Sequence, residues 1–122
     1  MNRLADAGYQ THGVGKMHFG PDARALWGFD SRDYFEEGGG NDDFRAVLDA
    51  NGYGHVVLPR GERSEYAHIL QPLQLPERLH HADWIADRTL DLLDRRDAIR
   101  PFFLWASVIK PHPPFEWLVR AF

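Results

Sequence analysis

The sequence predicts an α/β fold in which a mostly parallel sheet is flanked by helices. Two pairs of neighbouring segments carry that expectation. At the start, residues 1–7 read as helical turns ended by Gly8, a residue suited to the left-handed conformation after a helix, and residues 9–14 follow as a short strand. Towards the end, an amphipathic helix over 81–96 leads through Arg100-Pro101 into a continuous apolar run, 102–109. An unbroken apolar run of strand length fits a buried parallel strand, because crossover helices cover both faces of such a sheet.

The elements between follow from local chemistry. Residues 20–40 contain Pro21, Gly28 and the run Gly38-Gly39-Gly40, and so predict mostly loop, with Trp27 and Phe29 as anchors into a core. Residues 42–51 place Phe44, Val47 and Leu48 at helical spacing. Asp42-Asp43 cap that helix, where carboxylates face the positive end of its dipole, and Asn51-Gly52 stops it. Residues 54–76 lack periodicity and read as an extended connection. Over 81–96, Ala82, Ile85, Ala86, Thr89, Leu92 and Leu93 form one apolar stripe, while Asp91 and Arg95 sit one turn apart on another face. No internal repeat interrupts this order.

Composition bounds the function classes. The 122 residues fit one small domain, and 43% hydrophobic residues suffice for a core. A net charge of −4 with both signs interspersed excludes a nucleic-acid surface, which needs a basic patch to neutralise phosphates. No cysteine is present, so disulfides and thiolate metal sites are excluded. No apolar run is long enough to span a membrane, and no charged segment followed by an apolar one marks a signal peptide.

Two basic motifs stand out. Gly15-Lys16-Met17-His18-Phe19-Gly20 follows the first strand, and Ile109-Lys110-Pro111-His112-Pro113-Pro114-Phe115 follows the last. Both deliver basic side chains beyond the carboxyl ends of strands, where open α/β sheets gather their ligands. The chain holds twelve arginines but only two lysines, Lys16 and Lys110, one in each motif. Lysine supplies a fixed positive charge and histidine a proton near neutral pH, which is what an anionic ester needs for its oxygens and its leaving group. The i, i+2 spacing of Lys16 and His18 puts both on one side of an extended backbone. Taken singly, Lys16 also reads as a solvated lysine, His18 as a turn residue, and the Pro-rich segment around His112 as a rigid strand exit.

The series Leu4-x-x-x-Gly8-Tyr9-x-Thr11, Gly15-Lys16-x-His18-x-Gly20, Gly28-Phe29-Asp30 and Lys110-Pro111-His112-Pro113-Pro114-Phe115 resembles the sulfatase family, over residues 4–115. The resemblance implies a partial alkaline-phosphatase-like sandwich and cleavage of small-molecule or carbohydrate sulfate esters. By the same resemblance Lys16 and His18 hold the formylglycine hydrate, with His18 helping it eliminate sulfate. His112 stands near the bound sulfate and leaving group, and Lys110 is a second-tier substrate-binding residue.

The resemblance also implies a formylglycine made from a Cys/Ser-x-Pro-x-Arg motif, and a calcium-type ion held by carboxylates and an amide. No serine here precedes a proline by two residues, and the paired metal-binding aspartates are not seen. Residues 1–122 are therefore expected to be an internal slice of the catalytic domain, inactive alone and without cofactor, its compartment open between bacterial cytoplasm and periplasm. A slice of a sheet is expected to associate through uncovered strands. The tail Trp117-Leu118-Val119-Arg120-Ala121-Phe122 departs from the Pro-rich continuation of the family. A phosphonate or phosphate monoester hydrolase of the same fold, and a non-catalytic anion-binding or interaction protein, are the alternatives.

Other clusters read as structural. His80-His81 with Asp83 form a solvated helix start, because adjacent positions on a helix diverge and no third metal ligand has a matching spacing. Glu62-Arg63-Ser64-Glu65 reads as an exposed turn.

Overall fold

The computed structural model describes residues 1–36, 42–56 and 70–117. In chain order these form α1 (Asn2–Asp6), β1 (Gln10–Lys16), β2 (Ser31–Phe35), α2 (Asp43–Ala50), β3 (Gln71–Pro72), a 3-10 turn (Glu77–Leu79), α3 (His81–Arg95), β4 (Phe102–Ser107) and β5 (Glu116–Trp117). The main sheet runs β2-β1-β4 and is parallel throughout. A second, two-stranded parallel sheet pairs β3 with β5.

Strand β1 is central, and its register sets the site. Lys16 lies opposite Phe35 on one side, and Gly15 opposite Ser107 on the other. Gly15 has a positive φ of 94°, and a Cβ there would overlap the carbonyl oxygen of Ser107. Only glycine satisfies both the turn of the backbone and that close approach. The strand thereby continues to Lys16, two residues beyond the expected end.

Helices α2 and α3 share one apolar cluster with the sheet. Val14 of β1, Phe35 of β2, Phe44 and Leu48 of α2, and Trp84, Ile85 and Leu92 of α3 are its centre. Asp42 caps α2 as expected, its Oδ1 accepting from the Arg45 amide at 2.7 Å while Oδ2 accepts from the Glu36 amide at 3.2 Å. Helix α3 is tied to β2 by the Arg88–Asp33 ion pair at 3.2 Å. Among the described residues, no helix is long and apolar enough to cross a membrane.

Three expectations are corrected and one is refined. The described part of residues 20–40 is mostly loop as expected, but β2 runs through 31–35. Of its five residues only Phe35 is buried, so it lacks the apolar signature by which strands are read. Trp27 is not a core anchor: it is 41% exposed and its indole donates to the Asp22 carbonyl, whereas Phe29 at 3% exposure is the anchor. The buried face of α3 includes His81 and Trp84, and Ala86 of the expected stripe is exposed. Strand β4, at the edge of the sheet, ends at Ser107 and is not buried: Phe102 and Trp105, which point to opposite faces, are both exposed. The Gly38-Gly39-Gly40 run, the Glu62-Arg63-Ser64-Glu65 turn and the tail beyond Trp117 lie outside the described residues.

Candidate functional site

Lys16 closes the central strand at the carboxyl end of the parallel sheet. Because Lys16 pairs in register with Phe35, the next residue, Glu36, arrives beside it. Glu36 meets both basic side chains of the first motif. Its Oε1 lies 3.7 Å from Lys16 Nζ and its Oε2 lies 3.2 Å from His18 Nδ1. The lysine and glutamate side chains are 17% and 19% exposed, whereas His18 is 73% exposed. The pair is thus sheltered on the lysine side and open on the histidine side.

A cavity of about 560 Å³ opens at this point, lined by His18, Phe19, Tyr34 and Glu36 among others. Burial pushes the Tyr34 phenol above its ordinary pKa, and the charges of Glu36 and Asp42 push the same way. Burial also lowers the pKa of Arg32. Its guanidinium lies 5.3 Å from the Phe19 ring and 5.6 Å from the Tyr34 ring, and donates to the carbonyls of Ala23 and Ala25. Arg32 therefore fixes the loop that forms one cavity wall.

The second motif is arranged differently. Lys110 Nζ donates to the Pro114 carbonyl and lies 3.6 Å from Glu116 Oε2. His80 Nε2 meets the same oxygen at 3.4 Å. These residues border a second cavity, of about 330 Å³, that also takes in Glu77 and Asp83. His112 is exposed, its Nδ1 2.6 Å from the Pro113 carbonyl, and it lines neither of the two cavities. The structure thus gathers Lys16 and His18 at Glu36, and Lys110 with His80 at Glu116.

A family model described as Sulfatase matches residues 1–119. The chain belongs to the sulfatase family. It is similar to an arylsulfatase of Clostridium perfringens, 30% identical over 131 aligned positions that cover 94% of this chain and 27% of the relative. It is also similar to the multifunctional alkaline phosphatase superfamily protein PehA of Trinickia caryophylli, 35% identical over 60 positions, or 49% of this chain and 12% of that protein. The chain spans about a quarter or less of the length of these relatives. Its parallel sheet flanked by helices is consistent with part of the sulfatase fold.

The family's calcium and formylglycine do not fit the groups present. Among the described residues, the one cluster of three or more metal-ligating side chains is His80, His81 and Glu116. Two imidazoles and a carboxylate do not suit calcium, which takes six to eight oxygens. With no cysteine and no Ser-x-Pro, the chain has no precursor of formylglycine.

Sequence reasoning missed Glu36 and Glu116. The only signal for Glu36 was β2 itself, whose polar residues conceal it, and Glu116 is brought to His80 by the pairing of β5 with β3.

Proposed function

We propose that the chain supplies oxyanion-binding and proton-transfer groups of a sulfuric ester hydrolase acting on small-molecule or carbohydrate sulfate esters. Family membership supports the reaction class. The observation that supports the site is the convergence of Lys16 and His18 on one anionic group at the carboxyl end of the central strand. In this reading the nonbridging sulfate oxygens take the place held by the Glu36 carboxylate. Lys16 supplies the sheltered charge and His18 a second donor on the open side, both aimed at charge that grows in the transition state. His112 gives a proton to the departing oxygen. Lys110 ranks below them, because Glu116 and the Pro114 carbonyl already engage its ammonium.

Calcium and formylglycine would supply metal and nucleophile chemistry in a whole enzyme. Without them the isolated chain binds the oxyanion but does not turn the ester over. Similarity to PehA favours phosphate or phosphonate esters as the second reading, since tetrahedral oxyanions of both elements suit the same lysine and histidine.

Titration of the chain with inorganic sulfate and with phosphate, followed by NMR of the His18 ring, tests the site. A saturable shift is expected, lost in Lys16→Ala and tightened about tenfold in Glu36→Gln, which removes the competing carboxylate. A His18 signal indifferent to sulfate would sink the assignment. A preference for phosphate would favour the second reading. Hydrolysis of an aryl sulfate by purified chain, above a Lys16→Ala control, would show that the chain needs no further groups.

A further inference from the structure

His80 precedes α3 with an extended backbone, φ −66° and ψ 138°, as the helix N-cap. It is therefore not bound to the helical rotation that separates neighbouring side chains. Its ring centroid lies 4.1 Å from that of His81, which is 1% exposed. Glu116 comes from β5, held in place where the Gln71 amide donates to the Phe115 carbonyl at 3.0 Å and the Leu73 amide to the Trp117 carbonyl at 2.9 Å. Donor atoms of His80, His81 and Glu116 all lie within 4.8 Å of one another.

The Glu116 side chain is 4% exposed, and among the described residues neither of its oxygens accepts a hydrogen bond. Among the described residues, ion-pair contacts with Lys110 and His80 hold it. A buried carboxylate held by ion-pair contacts but by no hydrogen bond, beside two imidazoles, has room in its coordination for a cation.

The geometry points to a divalent transition-metal site of the zinc class formed by His80, His81 and Glu116. Two nitrogens and one carboxylate leave a fourth position, and the cavity of about 330 Å³ that His80 and Glu116 border gives it access to water or a ligand. Zinc at about 2.0–2.2 Å from each donor needs donors spaced about 3.4 Å apart in a tetrahedron. The His80–Glu116 pair already has that spacing, and the His81 donor lies within 4.8 Å of both.

Two neighbours respond when the metal enters. His80 Nδ1 accepts from the Ala82 amide at 3.2 Å, so in neutral His80 the proton sits on Nε2. Metal at Nε2 moves that proton to Nδ1, which gives up the cap bond. Lys110 loses Glu116 to the metal but keeps the Pro114 carbonyl. Its charge opposes the cation, while Asp83 and Glu77 on the cavity wall favour it.

The test is titration of the chelator-stripped chain with Zn²⁺ by calorimetry and with Co²⁺ by visible absorption. One equivalent should bind, with Kd about 1 µM or tighter and with Co²⁺ bands of four-coordinate intensity, while Ca²⁺ gives no heat. His80→Asn keeps a helix cap, and Glu116→Gln keeps the shape of the side chain. Each should weaken Zn²⁺ by at least about a hundredfold with circular dichroism unchanged. Lys110→Gln should tighten it, and His18→Ala should leave it unchanged. The site is refuted if wild type binds no Zn²⁺ equivalent, if His80→Asn and Glu116→Gln retain full affinity, or if His18→Ala abolishes binding. Should the ligand variants unfold, failure of Lys110→Gln to tighten binding would refute it as well.

Discussion

Asp42 shows how one residue serves two ends. It is 4% exposed, caps α2 through Arg45, and holds the amide of Glu36, the residue on which Lys16 and His18 converge. Burial raises its pKa above the usual aspartate value against the two amide bonds that lower it, with Asp43 adding to the rise. The folded state therefore binds the proton more tightly than the unfolded chain. Stability from this group is fully present below the unfolded value and is lost as pH rises through the raised folded value. Asp42→Asn removes that dependence while keeping a cap. In urea melts from pH 3 to pH 7, the stability of wild type relative to Asp42→Asn should fall as pH rises; a constant difference would show that the charge is not desolvated. At this scale the sequence disclosed residue types better than partners. The Asp42 cap and the Lys16–His18 pairing were legible from spacing. Glu36 was not, because its place depends on a cross-strand register rather than on neighbours in the chain.

Among the elements, α3 separates what periodicity reveals from what it does not. Its existence and length were plain from the apolar repeat, yet its buried face is rotated toward His81 and Trp84. Those residues pack on Phe35, with ring centroids at 5.6 Å and 6.2 Å. A histidine carries no weight in an apolar stripe, so the face read from aliphatic residues alone shifts toward Ala86. Ile85→Ala should lower the unfolding free energy by about 3 kcal/mol, because it leaves a cavity among Val14, Leu48 and their neighbours. Ala86→Ser, on the exposed side, should change it by under about 0.5 kcal/mol. Equal losses in chemical denaturation would place the buried stripe where the aliphatic pattern alone puts it. Strand β2 was illegible for the opposite reason: it is stabilised by pairing with β1 and by the Arg88–Asp33 contact, neither of which leaves an apolar alternation. In β4, parallel pairing was legible but burial was not, since the residues themselves do not reveal how many sides of a strand are covered.

At the scale of the whole molecule, the parallel topology carries both basic motifs beyond the carboxyl ends of adjacent strands, β1 and β4. Their place at strand ends was legible from the motifs; the adjacency of the two strands was not, nor was the separation of Lys110 into its own carboxylate cluster, which requires the short β3–β5 sheet. The roles proposed for Lys16 and His112 differ in kind, and a whole sulfatase carrying these residues can separate them. In its proposed role Lys16 acts on sulfate charge whatever the leaving group, so Lys16→Ala should lower kcat by about a hundredfold on every ester in a series. The role proposed for His112 is to supply a proton, which matters only when the departing oxygen is basic. His112→Ala should cost about a hundredfold or more on alkyl and carbohydrate sulfates, and only about a few-fold on aryl sulfates whose phenoxides leave unaided. His112 is exposed, so His112→Ala should leave folding unchanged. A steeper dependence of log kcat on leaving-group pKa in His112→Ala than in wild type is the required signature. Parallel dependences would remove His112 from proton transfer and leave it a residue of the strand exit.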